Sequence, residues 1–179
     1  MTQNEIIQGC KAGREAAYKE LIEQHATKLM GLCVRYLRDR QKAEDAVQET
    51  FIQVFKSVHQ IDEEGNLIGW MSRIAINNCL KEIKKSKRMV STEETLHLEN
   101  LPVMPEIDRK MKTEELLAIL DNLPPAYRIV FNLHLVEGYS HKEISEMLDI
   151  QESASRTKLT RARKMLQNYL VVHPRKSVV

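Results

Sequence analysis

Apolar side chains that recur every three or four residues are the feature that most constrains how this chain folds. From Glu15 to Leu37 such a stripe marks one face of a long helix, at Tyr18, Leu21, Ile22, Leu29, Leu32, Cys33, Tyr36 and Leu37. After Asp39, which can cap a helix, a second stripe runs through Ala43, Ala46, Val47, Thr50, Phe51, Val54, Phe55 and Val58. No segment alternates with the two-residue period of a strand. The sequence therefore predicts an all-α protein.

A loop and a third helix complete this first group of helices. Residues 61–69 break the helical pattern with Asp62, Gly65, Asn66 and Gly69. The next helix is expected over residues 67–85, with inward-facing side chains at Trp70, Met71, Ile74, Ala75 and Ile83. Because these helices can enclose one core, we expect a first small helical domain over residues 1–90.

The composition changes after this domain. Residues 91–108 contain Pro102, Pro105 and several acids but no Lys or Arg, and they show no sustained period. Further helices are expected over residues 111–120 and 126–135, the second of them after Pro124 and Pro125, since proline is tolerated in a first helical turn. The sequence thus predicts a second domain over residues 111–179, joined to the first by an acidic linker over residues 91–110.

The second domain contains a helix-turn-helix pattern. Ser140 and Glu143 form a capping box that opens a short helix ending near Leu148, and a longer helix runs from about Glu152 to Leu170. In the longer helix Leu159, Ala162 and Leu166 face inward. The remaining circumference carries residues suited to the DNA major groove, namely Ser153, Arg156, Thr157, Lys158, Thr160, Arg161 and Lys164. A basic helix that is merely solvated is the alternative, which the capped helix before it makes less favourable.

Charge and cysteine content narrow the function classes further. The net charge is only +2, but Lys and Arg crowd into residues 81–88 and 156–164, which is typical of a polyanion binder. The cysteines Cys10, Cys33 and Cys79 lack CxxC spacing, so we expect buried reduced thiols rather than a disulfide framework or zinc site. No apolar run approaches the length of a membrane span and the start is polar, so we expect a cytoplasmic protein without direct membrane insertion.

The C-terminal motifs resemble a known family. Residues Leu123–Arg128, Glu137–Leu148 and Arg156–Leu166 are similar to the C-terminal domain of extracytoplasmic-function (ECF) sigma factors of the sigma-70 family. The resemblance implies that the helix-turn-helix recognises the minus-thirty-five promoter element. One departure is Ser153-Ala154-Ser155, where the family usually has Gly-Thr-Val. Ser155 takes the usual inward Val position, which bears on the packing and docking angle of the helix.

The first domain carries a second resemblance. Residues Arg38–Phe55 are similar to the family's polymerase-binding helix, in which the pattern AEDxxQExF recurs. Helical spacing gathers Asp45, Gln48 and Glu49 into a polar patch that suits Arg and Gln side chains on the polymerase clamp helices. Core RNA polymerase is therefore the implied partner, contacted through Glu44, Asp45, Gln48, Glu49 and Phe51. An ordinary acidic surface is the alternative reading of these residues.

The third helix resembles the family's minus-ten recognition element. Trp70–Asn78 is similar to the pattern WLxRIAxN, although Lys81-Glu82-Ile83 departs from the acidic residue that many members have after it. Melted DNA needs a pocket for an extruded base, polar groups to read it and cations for its backbone. Residues 62–68 suit the pocket wall and Lys87 suits the phosphates. The resemblance implies contacts with the melted strand from Asn66, Trp70, Arg73, Asn77, Lys81, Lys84, Lys85 and Arg88.

The family also implies roles for the linker and for a regulator. A linker between such domains approaches the polymerase active-site cleft, so its acids either mimic nucleic acid or belong to a plain tether. An anti-sigma factor that covers the binding surfaces is a further expected partner. The rival function is a stand-alone helix-turn-helix regulator, which leaves the Arg38–Phe55 motif unexplained. An enzyme is not expected, nor a cofactor, because HExxH, GxSxG, Gly-rich phosphate loops and Cys/His clusters are missing from the sequence.

Overall fold

The computed structural model describes residues 1–61, 65–89, 120 and 122–172, with the backbone alone at 87–89 and 170–172. Helices dominate this part of the chain, and no strand occurs in it. The described residues before position 92 form one compact unit, and those after position 93 form another. The predicted all-α class is confirmed. The predicted linker over residues 91–110 and the predicted helix over residues 111–119 lie outside the described residues.

The first unit consists of four helices. They are α1 (Gln3–Lys11), α2 (Glu15–Leu37), α3 (Arg40–Ser57) and α4 (Leu67–Met89), with a 3-10 turn at Val58–Gln60. Helices α2, α3 and α4 pack against one another in pairs, and α1 packs on α2. The bounds of α2 agree with the prediction, and Asp39 caps α3 by accepting a hydrogen bond from the Lys42 backbone N–H at 3.1 Å.

The core of the first unit follows the predicted apolar stripes, with some differences. Its fully buried side chains come from all four helices and include Ile6, Leu21, Leu29, Cys33, Tyr36, Ala43, Val54, Met71, Ala75 and Cys79. Cys10 is buried as well, so the predicted burial of the thiols is confirmed. Trp70, Ile74 and Ile83 are only half-buried, and Ile22 is 38% exposed. The apolar stripes therefore include positions that the packed core covers only in part.

Helix α1 was not predicted from the sequence. It is short, and its apolar residues Ile6 and Ile7 are too few to define a period. The local signal is a capping box: the Glu5 backbone N–H donates to Thr2 Oγ1, and the Thr2 N–H donates to Glu5 Oε2 at 2.7 Å. The hydrogen bonds that the Thr2 backbone N–H and then the Thr2 side chain make with the Glu5 carboxylate lower the pKa of Glu5.

The second unit combines three short elements with one long helix within the described residues. It contains α5 (Pro125–Phe131), a π-helical turn (Asn132–Val136), α6 (His141–Leu148) and α7 (Glu152–Val172). Helix α7 packs against α5 and α6. The predicted helix over residues 126–135 is therefore two segments, because the backbone widens into the π turn before Gly138, whose φ of +81° ends it.

The predicted helix-turn-helix is confirmed within the described residues. Ser140 and Glu143 form the capping box at the start of α6, and Asp149 ends that helix in the left-handed conformation. Leu159, Ala162 and Leu166 of α7 are buried against the helices before it. This packing leaves the other side of α7 open to solvent.

Candidate functional site

Helix α3 presents a polar face on the side opposite its buried stripe. The side chains predicted to bind polymerase here are exposed, namely Glu44, Asp45, Gln48 and Glu49. Their spacing of three and four residues gathers them on one surface of about two helical turns. Glu44 forms an exposed ion pair with Arg40 at 3.0 Å, which contributes little to stability. We call these four residues the α3 polar face.

Phe51 differs from the other predicted polymerase contacts. Its side chain is only 7% exposed and packs in the core, with its ring centroid 6.0 Å from that of Phe55. The ring therefore contributes mainly to the core of the first unit, and a direct contact of Phe51 with polymerase stays a prediction. The next residue, Ile52, is exposed, and the sequence analysis did not single it out.

Helix α4 gathers the predicted DNA-contacting residues on one face. Arg73, Asn77, Lys81, Lys84 and Lys85 are exposed at helical spacing, and Trp70 lies half-buried in line with them. We call this set the α4 basic face. Asn66 has a structural role, since its Oδ1 accepts a hydrogen bond from the Gly69 N–H at 3.0 Å and so caps the start of α4. Arg88 lies in the last turn of the helix, and its side chain is outside the described residues, as are residues 62–64 of the predicted pocket wall.

A groove of about 490 Å³ separates the two faces. Asp45 and Glu49 line it from α3, and Lys81 and Lys85 line it from α4. The structure thus brings together residues that the sequence assigned to two different partners. Lys42 crosses the groove from α3, where its Nζ lies 3.5 Å from Glu82 Oε1 and donates to Ser86 Oγ at 3.0 Å. This bridge was not predicted, because the period of either helix does not determine how α3 pairs with α4.

Side-chain hydrogen bonds, one of them buried, link the two helices beside that groove. Asn78 is 7% exposed, and its Nδ2 donates to Thr50 Oγ1 at 3.2 Å. Its Oδ1 accepts from Gln53 Nε2 at 3.2 Å, and the same Gln53 amide donates to Glu49 Oε1 at 2.7 Å. A chain of polar contacts therefore runs from the α3 polar face into the interface with α4, and it holds the two faces in a defined register.

Helix α7 carries the third surface. Ser153, Arg156, Thr157, Thr160 and Arg161 are exposed and spaced three or four residues apart, while Lys158 and Lys164 are half-buried. Arg156 pairs with Glu152, and Arg161 Nη1 donates to the Tyr127 hydroxyl at 3.5 Å. These residues form one exposed strip on the helix, which we call the α7 basic face.

The described residues hold neither a metal cluster nor a membrane-spanning helix. No group of three or more His, Cys, Asp or Glu side chains in this part of the chain is arranged to hold a metal ion. None of the helices searched there combines the length and apolar character that a bilayer crossing requires. The described surface carries one acidic and amide-rich face, on α3, and two basic faces, on α4 and α7.

Comparison with known proteins identifies the family. Residues 21–89 match the family Sigma-70 region 2, and residues 113–166 match Sigma-70, region 4. The ECF RNA polymerase sigma factor SigE of Mycolicibacterium smegmatis is 31% identical over 162 residues, which are 88% of this chain and 63% of that protein, less than two thirds of its length. The ECF RNA polymerase sigma-E factor of Haemophilus influenzae is 28% identical over 180 residues, covering 94% of this chain and 95% of that one. The chain belongs to the ECF sigma factors of the sigma-70 family.

A solved structure shares the fold of this sigma factor. RpoE of Bartonella quintana, solved in complex with the anti-sigma factor NepR, superimposes with a TM-score of 0.56 at 21% identity. The alignment covers 87% of this chain and 97% of that one. At this identity the likeness concerns the fold. The two family regions contain the α3 polar face and both basic faces, since region 2 spans α3 and α4 and region 4 includes every residue of the α7 basic face.

The helix-turn-helix of this sigma factor departs from the family at Ser155. The residue is fully buried, and its Oγ hydrogen-bonds with His141 Nδ1 at 2.9 Å. The His141 ring stacks on that of His134 with centroids 4.3 Å apart, and His134 Nδ1 lies 2.8 Å from the Tyr139 carbonyl oxygen. Where the family usually has an apolar Val, this chain joins α6 to α7 through a polar contact. Burial, and next the electrostatic interaction with His134, lower the pKa of His141.

Proposed function

We propose that this sigma factor binds core RNA polymerase through α3, reads the upstream promoter element through α7 and holds the melted minus-ten strand on α4. The observation that carries the proposal is the placement of one acidic and two basic faces on the two matched regions of the family. Residues 1–90 then serve polymerase and the minus-ten element, and residues 111–179 serve the minus-thirty-five element.

The assignment of the α3 polar face to polymerase rests on charge and exposure. Asp45, Gln48 and Glu49 are exposed acids and amides in the family's AED–QE pattern, and they lie beside the basic α4. An acidic surface repels the DNA backbone, so its partner is a protein surface with cations and amide groups. Residues that face DNA and residues that face polymerase meet at the groove, which suits a subunit that holds DNA against the enzyme.

The assignment of the α4 basic face to melted DNA rests on its mixture of side chains. Lys81, Lys84 and Lys85 offer cations at three- and four-residue spacing, which suits successive phosphates. Asn77 offers an exposed amide for a base edge, and the half-buried ring of Trp70 offers a stacking surface. A single strand with splayed bases can use all three kinds of contact, whereas a closed duplex hides its stacking faces.

The assignment of α7 to duplex DNA rests on its strip of exposed polar and basic groups. Arg156 and Arg161 suit guanine edges or phosphates, and Thr157 and Thr160 suit the DNA backbone. The Arg156–Glu152 pair is exposed, so a phosphate can replace the carboxylate at little cost.

The proposed function extends to the linker, a regulatory partner, the cellular compartment and catalysis. The acidic segment over residues 91–110 acts as the linker between the domains, either as a tether or near the polymerase active-site cleft. An anti-sigma factor regulates this chain by covering its faces, as suggested by the relative RpoE solved with NepR. The protein works in the cytoplasm, where polymerase and promoters are. It has no catalytic activity of its own, since polymerase performs the chemistry.

Charge reversal on the α3 polar face tests the docking assignment. Asp45→Arg should weaken the affinity for purified core polymerase by about 100-fold, because a cation then faces the cations that bind the native carboxylate. Glu23→Arg on α2 is the matched control, because Glu23 is an exposed acid outside all three faces. Equal affinities for Asp45→Arg and the wild-type protein contradict the docking assignment.

Truncation of two arginines tests the duplex assignment. The double variant Arg156→Ala/Arg161→Ala should bind the upstream duplex more weakly and lower the salt dependence of binding by a slope of about two, since two phosphate-neutralising cations are lost. Core polymerase binding should remain as in the wild-type protein. Lys19→Ala on α2 removes an exposed cation elsewhere and should leave the slope unchanged.

A further inference from the structure

A large apolar side chain, Ile52, lies one helical turn beyond Gln48, at the C-terminal end of the α3 polar face. It is 44% exposed, and no other large hydrophobic residue of α3 is exposed in the described structure. Ile52 follows Gln48 by one helical turn and Asp45 by two, so the three side chains project from the same side of the helix. An apolar group is thus adjacent to Gln48 and Glu49, which are assigned to polymerase binding, and the exposed Lys56 follows it by one turn.

The position of Ile52 beside the α3 polar face, more than its exposure, points to a role in binding. Single exposed hydrophobic residues are common on soluble proteins, and Ile22 on α2 is 38% exposed outside the three polar faces. Ile52 instead occupies the place that an apolar anchor takes in protein–protein interfaces, where a desolvated centre is ringed by polar groups that exclude water. Phe51, the apolar residue that sequence reasoning assigned to this contact, is buried in the core, whereas its neighbour Ile52 is exposed.

We infer that Ile52 is the apolar anchor of the polymerase-binding surface. Core polymerase buries this side chain in an apolar recess, while cations at the rim of the recess meet Asp45 and Glu49. The inference rests on the proposed docking function and adds to it a contact of a different physical kind. Rim charges steer and orient the encounter, whereas the desolvated isoleucine slows dissociation.

The experiment measures the affinity of full-length variants for purified core polymerase. Ile52→Ser should bind about tenfold more weakly, because the free energy of burying the exposed part of the side chain is lost. Ile52→Leu keeps the apolar volume and should stay within about threefold of the wild-type protein. Ile22→Ser is the matched control, an exposed isoleucine on a neighbouring helix, and should leave the affinity unchanged.

The dependence of affinity on ionic strength distinguishes the apolar contact of Ile52 from the charge contacts beside it. The loss caused by Asp45→Asn should shrink as ionic strength rises from about 0.1 M to about 0.5 M, because screening weakens the native charge contact. The loss caused by Ile52→Ser should persist over the same range, since burial of apolar surface does not depend on screening. A kinetic trace should show the Ile52→Ser loss mainly in a faster dissociation rate.

Each outcome bears on one of the two claims. Normal affinity of Ile52→Ser beside a weakened Asp45→Arg overturns the anchor and leaves the docking proposal standing. Equal weakening by Ile22→Ser also overturns it, because the loss is then not specific to α3. If Asp45→Arg and Ile52→Ser both bind as the wild-type protein does, the proposed docking surface itself is wrong.

Discussion

Each of the two helical units contains a buried hydroxyl that joins two helices, but the partners of these hydroxyls differ. In the first unit Thr50 Oγ1 donates to the Ala46 carbonyl at 2.6 Å and accepts from Asn78, which is itself buried. In the second unit Ser155 Oγ bonds with His141, which is half-buried and can reach water. Loss of the Thr50–Asn78 hydrogen bond is therefore costly, because both partners are buried. Loss of the Ser155–His141 hydrogen bond costs less, because His141 can bond with water, and His141 is also titratable.

Removal of the Thr50 hydroxyl should give the largest effect. Thr50→Val keeps the side-chain shape but leaves Asn78 Nδ2 unpaired in the interior, which should lower the free energy of unfolding of the first unit by about 2 kcal/mol. Trp70 is the only tryptophan of the chain and lies in this unit, so its fluorescence in a urea titration reports the first unit alone.

A double variant identifies the cause of that loss. Thr50→Val/Asn78→Leu removes donor and acceptor together and should be less destabilised than the sum of the two single variants, because no buried amide is then left unpaired. Additive losses contradict the view that the unpaired Asn78 amide dominates the cost. In that case the burial of Asn78 does not make the Thr50 hydrogen bond costlier to lose than the Ser155 hydrogen bond.

The sequence predicted both hydroxyls as inward-facing and neither of their partners. Thr50 stands on the apolar stripe of α3, so helical period places it inside, whereas the family resemblance places Ser155 inside because Val usually stands there. The partner Asn78 is 28 residues from Thr50, and His141 is 14 residues from Ser155. Which residues meet across two helices depends on their crossing and register, and the period of one helix contains neither.

The same reasoning explains which parts of the surfaces were predicted. Period and charge placed Asp45, Asn77 and Arg161 on exposed faces of the helices that carry them. The sequence also put Phe51 among the contact residues, where the structure shows a buried ring beside the exposed Ile52. Both are apolar neighbours on one helix, and 100° of rotation decides which of them meets solvent. The polymerase contact of Asp45 and the DNA contacts of Asn77 and Arg161 remain predictions.

Removal of the Ser155 hydroxyl should have a smaller effect than removal of the Thr50 hydroxyl. Ser155→Ala lowers the stability of the second unit by about 0.5–1 kcal/mol, because the released His141 nitrogen can bond with water and alanine favours the helix. Amide hydrogen exchange in α6 and α7, followed by NMR, measures this unit separately from the first. A loss as large as that of Thr50→Val means that the exposure of the partner does not set the cost.

Lowering the pH should give the smallest effect, and it should act on the hydrogen bond between His141 and Ser155. The groups around His141 are the stacked His134, the hydroxyl of Ser155, the guanidinium groups of Arg156 and Arg163, and the carboxylate of Glu152. Burial lowers the pKa of His141 below the ordinary value of 6.5, and His134 and the arginines lower it further, while Glu152 opposes them. The folded second unit therefore favours the neutral imidazole.

The direction of the pH effect follows from linkage. Below the ordinary histidine pKa the unfolded chain binds more protons at this position than the folded chain, so His141 contributes its full stabilisation above pH 6.5 and loses it as the pH falls through the lowered value. Exchange protection of α6 and α7 should decline in that window, and His141→Gln should remove this part of the decline. His25 on α2 has a lowered pKa as well, through burial and Lys28, so His25→Gln is the background in which the two units are compared. If α6 and α7 lose protection equally with and without His141, the hydrogen bond between Ser155 and His141 does not titrate in this window. The two buried hydroxyls then differ only in the exposure of their partners, Asn78 and His141.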